Sequence, residues 1–138
     1  MKIFLIGPMG SGKSKIGRIL SEKLSISLFD IYKEIEKDLN MSITEIFASK
    51  GEIFFRNTET DYLIKTKGLR DCIVSTGGGV IEEIKNLEFL KKEANVVFLN
   101  CSVESQYENT KNSAKRPLLL TKDPKLTLQT LYEKRFDS

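Results

Sequence analysis

The chain has 138 residues, of which 40% are hydrophobic and 30% charged, a composition typical of one soluble domain. Its net charge of +3 is too small to indicate nucleic-acid binding, and no apolar run reaches the roughly 20 residues that span a membrane. The sequence contains no histidine, which excludes Ser-His and Cys-His catalysis and histidine metal sites.

The N-terminus and the two cysteines predict a cytoplasmic protein. The opening MKIFLIG is too short for a signal peptide and leads into glycines rather than a cleavage site. Cys72 and Cys101 lie in apolar, strand-like runs, where we expect buried, reduced thiols. We also expect a monomer with no nucleic-acid or membrane partner.

Four short and nearly unbroken apolar runs predict strands that are covered on both faces. They are KIFLI (2–6), SLFD (27–30), CIVST (72–76) and NVVFLN (95–100). Helical patterns lie between them, and such an alternation is typical of a parallel sheet with right-handed crossovers. We predict one α/β domain over residues 1–138.

Three helical patterns separate or flank these strands. In the first and third, apolar residues recur three or four positions apart, so we expect them to form the buried faces. These residues are Ile16, Ile19, Leu20 and Leu24 in the first pattern and Ile81, Ile84, Leu87 and Leu90 in the third. The second pattern covers about 42–66, begins with the capping-box pair Ser42 and Glu45, and is expected to break near Gly51.

The stretch GPMGSGKSKIG (7–17) directly follows the first strand and opens the first helix. Its Gly7, Gly12, Lys13 and Ser14 match the phosphate-binding pattern G-x-x-x-x-G-K-[ST] in the context that this pattern requires. Glycines let successive backbone N–H groups face one anion, and the helix N-terminus adds its dipole. We predict that Lys13 reaches the nucleotide phosphates and that Ser14 ligates Mg²⁺.

Two further stretches place charged residues near the same crevice. Asp30, in FDIYKEIE, ends the second strand at the edge where ligands of open α/β sheets bind. Arg56 and Glu59, in EIFFRNTE, are three apart on a helix, so the carboxylate can hold the guanidinium ready for a substrate carboxylate. Taken alone, the pair could equally be a solvated surface pair.

Glycines and a further arginine complete the set of candidates. Gly77, Gly78 and Gly79, in STGGGV, follow the third strand, where the backbone could approach a ligand closely. Arg116, in KRPLL, lies in a polar segment over about 109–121 that we predict to be a lid. Each stretch taken singly could instead be an ordinary loop or turn.

In this order, these motifs, followed by LYEKR (131–135), resemble the shikimate kinase family over almost the whole chain. The resemblance implies a three-layer α/β/α P-loop kinase fold with a central parallel sheet. It also implies Mg²⁺-dependent transfer of the ATP γ-phosphate to the 3-hydroxyl of shikimate, a step of aromatic amino-acid biosynthesis.

The resemblance also assigns roles to residues at the nucleotide end. The phosphates would be held by Gly10, Ser11, Gly12, Lys13, Ser14 and Lys15. Ser14 and Asp30 would serve the metal, and Lys13 and Asp30 would act in catalysis. Arg116, from the lid, would bind the nucleotide and neutralise charge on the transferring phosphoryl group.

At the acceptor end, the resemblance implies that Arg56 and Arg135 clamp the shikimate carboxylate. Gly77, Gly78 and Gly79 would line the site, with Gly78 contacting a ring hydroxyl. Tyr32 would face the acceptor too, at a position where the family carries an aspartate that binds a substrate hydroxyl. A phenol, with an ordinary pKa of about 10, is a poor base at neutral pH. From the sequence alone, Tyr32→Asp is therefore expected to raise shikimate turnover.

Two other differences from the family pattern keep alternatives open. Asn109 stands where the family commonly has an arginine that lies against the adenine, and the sequence stops before a further strand and closing helix. The alternatives are a shikimate-kinase-like protein without catalytic activity and a kinase for a different small hydroxylated carboxylic acid.

Overall fold

A computed structural model describes residues 1–110 of the chain together with the two helical positions 126 and 129. Four strands occur in this part, and two match the predicted ranges at both ends. They are β1 (Lys2–Ile6), β2 (Ser27–Asp30), β3 (Cys72–Ser75) and β4 (Val96–Phe98). The last two are shorter than predicted, because β3 stops before Thr76 and β4 uses only the centre of its apolar run.

Within residues 1–110, five helices connect or follow these strands, with short 3-10 turns at Thr66–Gly68 and Val80–Glu82. They are α1 (Lys13–Leu24), α2 (Ile31–Leu39), α3 (Ile43–Lys65), α4 (Ile84–Lys91) and α5 (Val103–Thr110). The predicted start of α3 is confirmed, since Ser42 and Glu45 form a reciprocal capping box. The predicted interruption is confirmed too, because Gly51 has φ 85° and ψ 167° inside α3.

The sheet is parallel throughout, with strand order β2-β3-β1-β4. Asp30 and Leu5 both pair with Ser75, and Ile6 pairs with Phe98, so the carboxyl ends of the four strands form one edge. Ligands of open α/β sheets bind at this edge. The topology therefore places Asp30, Gly7 and the 77–79 glycines around a common crevice.

Helices cover both faces of the sheet, as the three-layer prediction requires. Residues that alternate along a strand point to opposite faces. On one face, Gly17 of α1 packs closely against Leu5, Leu28 and Ile73. On the other, Phe4 and Val74 join the main core with residues of α2, α3 and α4. That core includes Ile31, Ile35, Ile46, Phe55, Leu63, Phe89 and Leu90.

The predicted buried faces of α1 and α4 are partly wrong. Ile19 and Leu24 are exposed, because α1 turns Lys13 and Gly17 toward the interior. Ile84 is 71% exposed at the first turn of α4. A strict three-residue repeat drifts around a helix of 3.6 residues per turn, and the buried residues of α4 are Asn86, Phe89 and Leu90.

Both cysteines are free, as predicted, but the expected burial holds for only one of them. Cys72 is buried in β3, and burial raises the pKa of its thiol. Cys101 is only partly buried and lies beyond β4 rather than in a strand. Among the described residues, no helix combines the length and apolarity needed to cross a membrane.

Candidate active site

A cavity of about 530 Å³ opens at the carboxyl edge of the sheet. Its walls come from the loop before α1, the start of α2, the middle of α3 and the loop after β3. The polar lining residues include Lys13, Ser14, Lys15, Asp30, Tyr32 and Arg56. One cavity is therefore lined by both a lysine of α1 and an arginine of α3.

The glycine-rich loop before α1 places Lys13 in the wall of this cavity. Gly12, the residue before α1, has φ 90°, a left-handed conformation that glycine adopts without strain. Lys13 is only 8% exposed, and its Nζ donates to the carbonyl oxygens of Gly7 at 2.5 Å and Pro8 at 2.9 Å. A buried cation beside a helix N-terminus is suited to binding phosphate.

Ser14 and Asp30 meet beside this loop. The Ser14 hydroxyl donates to Oδ2 of Asp30 at 2.8 Å, and Oδ1 of Asp30 accepts from the backbone N–H of Lys33 at 3.3 Å. In the described part of the chain no group of three or more His, Cys, Asp or Glu side chains converges on one point. Since Mg²⁺ in phosphoryl-transfer sites is held by few protein oxygens plus phosphates, a serine–aspartate pair fits that ion.

Arg56, in the middle of α3, also lines the cavity. It is 8% exposed, and its Nη1 donates to Oε1 of the fully buried Glu59 at 2.9 Å. Its Nη2 lies 3.5 Å from Glu52 and 4.0 Å from Glu82. The predicted pairing of Arg56 with Glu59 is confirmed, and the alternative of a solvated surface pair is wrong.

The charge of Arg56 is firmly maintained. Burial would by itself lower the pKa of this guanidinium, but the neighbouring Tyr32 and Glu59 outweigh burial and raise the pKa above its ordinary value. Arg56 is therefore a permanent cation with a fixed orientation, which is what bidentate recognition of a carboxylate requires.

The glycines after β3 allow two side chains to lie against the backbone. A Cβ at Gly77 would lie 2.2 Å from the phenol end of Tyr32. A Cβ at Gly79 would lie 2.6 Å from Nη1 of Arg56. Because real side chains do not approach so closely, glycine is needed at both positions for Tyr32 and Arg56 to occupy these places.

The shikimate kinase family model matches residues 9–138 of the chain. A shikimate kinase of Marinomonas sp. (strain MWYL1) is 42% identical over 135 residues, covering 96% of this chain and 74% of that protein. One of Methylococcus capsulatus is 38% identical over 133 residues, again covering 96% and 74%. The chain belongs to the shikimate kinase family. Membership of this family implies the use of ATP.

Solved structures agree with this assignment. Shikimate kinase from Acinetobacter baumannii, in complex with shikimate, superimposes with a TM-score of 0.94 at 39% identity. That comparison covers 97% of this chain and 75% of the other. A deoxyadenosine kinase from M. mycoides, with a TM-score of 0.59 at 20% identity, shares the fold alone.

Most residues that the shikimate kinase resemblance singled out line the cavity. They are Gly10, Gly12, Lys13, Ser14, Lys15, Asp30, Tyr32, Arg56, Gly77, Gly78 and Gly79. Ser11 does not, because its hydroxyl is buried toward Gly7 and its N–H donates to the carbonyl of Pro8. Arg116 and Arg135 lie outside the described residues. The first two positions of the predicted lid, 109 and 110, form the end of α5.

Asn109, one of the differences from the shikimate kinase pattern, contacts the phosphate loop. Its Nδ2 donates to the carbonyl oxygen of Gly10 at 2.6 Å. The thiol of Cys101 lies 3.6 Å from the same oxygen. Side chains that follow β4 therefore contact the phosphate loop, and Asn109 itself lines the cavity. No local pattern in the sequence predicted these contacts.

The sequence analysis missed an apolar part of the cavity. Phe47 and Ile43, one helical turn apart on α3, line the cavity. The ring of Phe55 lies behind them, 4.9 Å from that of Phe47 and 5.1 Å from that of Tyr32. Apolar residues at i and i+4 preceding a helix break were the available signal, and they provide a surface for the ring of a small acceptor.

Proposed function

We propose that the chain catalyses Mg²⁺-dependent transfer of the ATP γ-phosphate to the 3-hydroxyl of shikimate. The observation that carries this proposal is one cavity that is lined together by buried Lys13, buried Arg56 and the glycines 77–79. This arrangement suits one polyphosphate and one small carboxylated acceptor, held with their reacting groups facing each other.

At the nucleotide end, backbone N–H groups of the loop and the Lys13 ammonium would bind the phosphates. When nucleotide enters, phosphate oxygens would replace the carbonyl oxygens that Lys13 now contacts. Ser14 and Asp30 would hold Mg²⁺, whose charge stabilises the phosphates when it is bound.

At the acceptor end, Arg56 would bind the carboxylate of shikimate, and we propose that Arg135 is its second cation. Glu59 holds one edge of the guanidinium, so that its other N–H groups keep a fixed direction. Phe47 would contact the acceptor ring, and the backbone of Gly78 would contact a ring hydroxyl.

The transfer step depends mainly on positioning and on charge neutralisation, because the transition state of phosphoryl transfer is loose. We propose that Arg116, on a lid that follows α5, supplies a positive charge to the transferring group. The closed lid would also exclude water, whose attack would hydrolyse ATP.

A coupled ADP-release assay with ATP and Mg²⁺, run with and without shikimate, tests this proposal. We expect ADP release to depend on shikimate and to be much weaker with other hydroxylated carboxylic acids. ADP release with a different acid alone would favour a kinase for a different small hydroxylated carboxylic acid. ATP binding without any acceptor-dependent release would overturn the proposed activity and favour a non-catalytic homologue.

A further inference from the structure

Tyr32 lines the same cavity as Lys13 and Arg56. It is the second residue of α2, two positions after Asp30. Its ring meets that of Phe55 edge-on, with centroids 5.1 Å apart and an interplanar angle of 87°. The aromatic contact fixes the plane of the Tyr32 ring from one side.

The other end of the Tyr32 ring is fixed by Gly77. The phenol carbon and oxygen both lie 2.2 Å from the place that a Cβ at position 77 would take. Tyr32 therefore fits this backbone only because residue 77 is glycine, and its hydroxyl is held at the base of the glycine wall.

The Tyr32 phenol and the Arg56 guanidinium lie against neighbouring glycines of the same wall, Gly77 and Gly79, and both line the cavity. Tyr32 also contributes to the raised pKa of Arg56. A guanidinium can only donate, so any hydrogen bond between the two groups would use a lone pair of the phenol and not its proton. A carboxylate bound to Arg56 would therefore lie within reach of a second donor, the Tyr32 O–H.

We infer that Tyr32 is a specificity-determining residue whose phenol, held against Gly77 and Arg56, donates a hydrogen bond to the acceptor carboxylate. This inference rests on the proposed function and deepens it. An aspartate at position 32 could accept a hydrogen bond from an acceptor hydroxyl, whereas a tyrosine in this place recognises a carboxylate. The residue then selects for a negatively charged acceptor beside Arg56.

The sequence alone predicts that Tyr32→Asp raises shikimate turnover. The charges around Arg56 predict a different effect of this substitution on acceptor binding. Glu52, Glu59 and Glu82 already surround the guanidinium. Tyr32→Asp would add a fourth carboxylate at the point where the acceptor carboxylate must bind. We therefore expect Tyr32→Asp to weaken binding of the acid, even though an aspartate is the better proton acceptor.

Titration calorimetry of shikimate, and separately of ATP, tests this inference on the wild type and three variants. Tyr32→Phe keeps the ring and removes only the hydroxyl, so the Kd for shikimate should rise about 2- to 10-fold while that for ATP is unchanged. Tyr32→Asp should raise the Kd for shikimate further. Tyr107→Phe, which removes a phenol on α5 that does not line the cavity, should leave both values unchanged.

The methyl ester of shikimate identifies the group that Tyr32 contacts, because the ester lacks the charge. Tyr32→Phe should affect ester binding less than acid binding. An equal effect, no effect of Tyr32→Phe on the acid, or tighter binding by Tyr32→Asp would overturn the inference.

Measuring shikimate binding also allows this inference and the proposed function to be tested separately. If the wild type binds shikimate but transfers no phosphate, the proposed activity fails while the affinity differences still decide the role of Tyr32. If the wild type binds neither shikimate nor another hydroxylated acid, both are overturned.

Discussion

Two buried cations define the candidate site at the scale of single residues, and their surroundings differ. Lys13 is held by the carbonyl oxygens of Gly7 and Pro8, whereas Arg56 is held by carboxylates, of which Glu59 is fully buried. Burying a charge is costly unless hydrogen bonds or an opposite charge compensate it. A phosphate that replaced these carbonyl oxygens would give Lys13 a stronger, charge-assisted contact.

Replacing Lys13 should therefore affect nucleotide binding more than folding. Lys13→Ala removes a charge-assisted contact, and we expect ATP affinity to fall roughly 10- to 100-fold with loss of phosphoryl transfer. Lys23→Ala, at the exposed last turn of α1, is the matched control and should change neither. Calorimetry with ATP measures the effect, and equal affinity of Lys13→Ala and wild type would contradict the phosphate-binding role.

The glycine wall gives a prediction about the acceptor. In Gly79→Ala the new methyl group would occupy space now filled by the Arg56 guanidinium, which must move. We expect the KM for shikimate to rise while the KM for ATP stays constant, because the nucleotide end is untouched. Gly68→Ala is the control, since a Cβ at Gly68 meets nothing within 4 Å. Equal shikimate KM values for the two variants would show that the position of Arg56 is not limiting.

At the scale of elements, the sequence predicted those helix and strand boundaries that depend on neighbouring residues. The capping box at Ser42 and the break at Gly51 are set by residues within one or two turns, and both occur where the sequence placed them. The apolar runs of β1 and β2 likewise gave correct ends. The exposed Ile84 shows the limit, because the choice of buried residues on α4 depends on how the helix is rotated against the core.

The part of the candidate site that lies in one short stretch of sequence, the loop that carries Lys13, could be predicted from its motif. The other contacts of the site depend on distant pairs. Gly77 is needed because Tyr32 lies against it, and Asn109 reaches Gly10 across almost the whole described chain. No local pattern reports that two such residues meet, so the sequence could propose the participants but not the contacts.

A hydrogen bond between Tyr62 of α3 and Asp38 of α2 joins these two helices, and its strength depends on pH. The Tyr62 hydroxyl donates to Oδ2 of Asp38 at 2.5 Å, and this hydrogen bond is the main cause that raises the pKa of Tyr62 to about 12. The ordinary value is about 10. Because the folded pKa is raised, the contact contributes its full stability below the unfolded pKa and loses it as the pH rises through the folded one.

Tyr62→Phe should therefore be less stable than the wild type by a constant amount below a pH of about 10. The difference should shrink as the pH rises toward about 12. Urea unfolding of both proteins at a series of pH values measures it, with Tyr107→Phe as the control for the loss of a phenol elsewhere. A difference that stays constant up to the highest pH would mean that this hydrogen bond is not the titrating contact.

At the scale of the whole molecule, the carboxyl edge of the sheet brings together the segments that line the cavity. Ser75, in the strand that leads into the glycine wall, pairs with Asp30 of β2. It also pairs with Leu5 of β1, the strand that leads into the phosphate loop. We propose that residues 1–138 form one domain that unfolds as a unit. In such a domain each ligand stabilises the whole fold, whichever end of the cavity it occupies.

Substitutions at Lys13 and Arg56 should therefore each remove the stabilisation by one ligand and keep the stabilisation by the other. At 100 times its Kd, either ATP or shikimate should raise the free energy of unfolding of the wild type by about 2.7 kcal/mol. At the same ligand concentrations, Lys13→Ala should lose most of the increase from ATP and keep that from shikimate. Arg56→Ala should show the reverse, because its lost contact lies at the acceptor end. Urea unfolding followed by circular dichroism and by tyrosine fluorescence measures both increases and tests for one shared transition. If either substitution removed both increases, the two ends would not bind separate ligands, and a single ligand spanning the cavity from Lys13 to Arg56 would explain the site better.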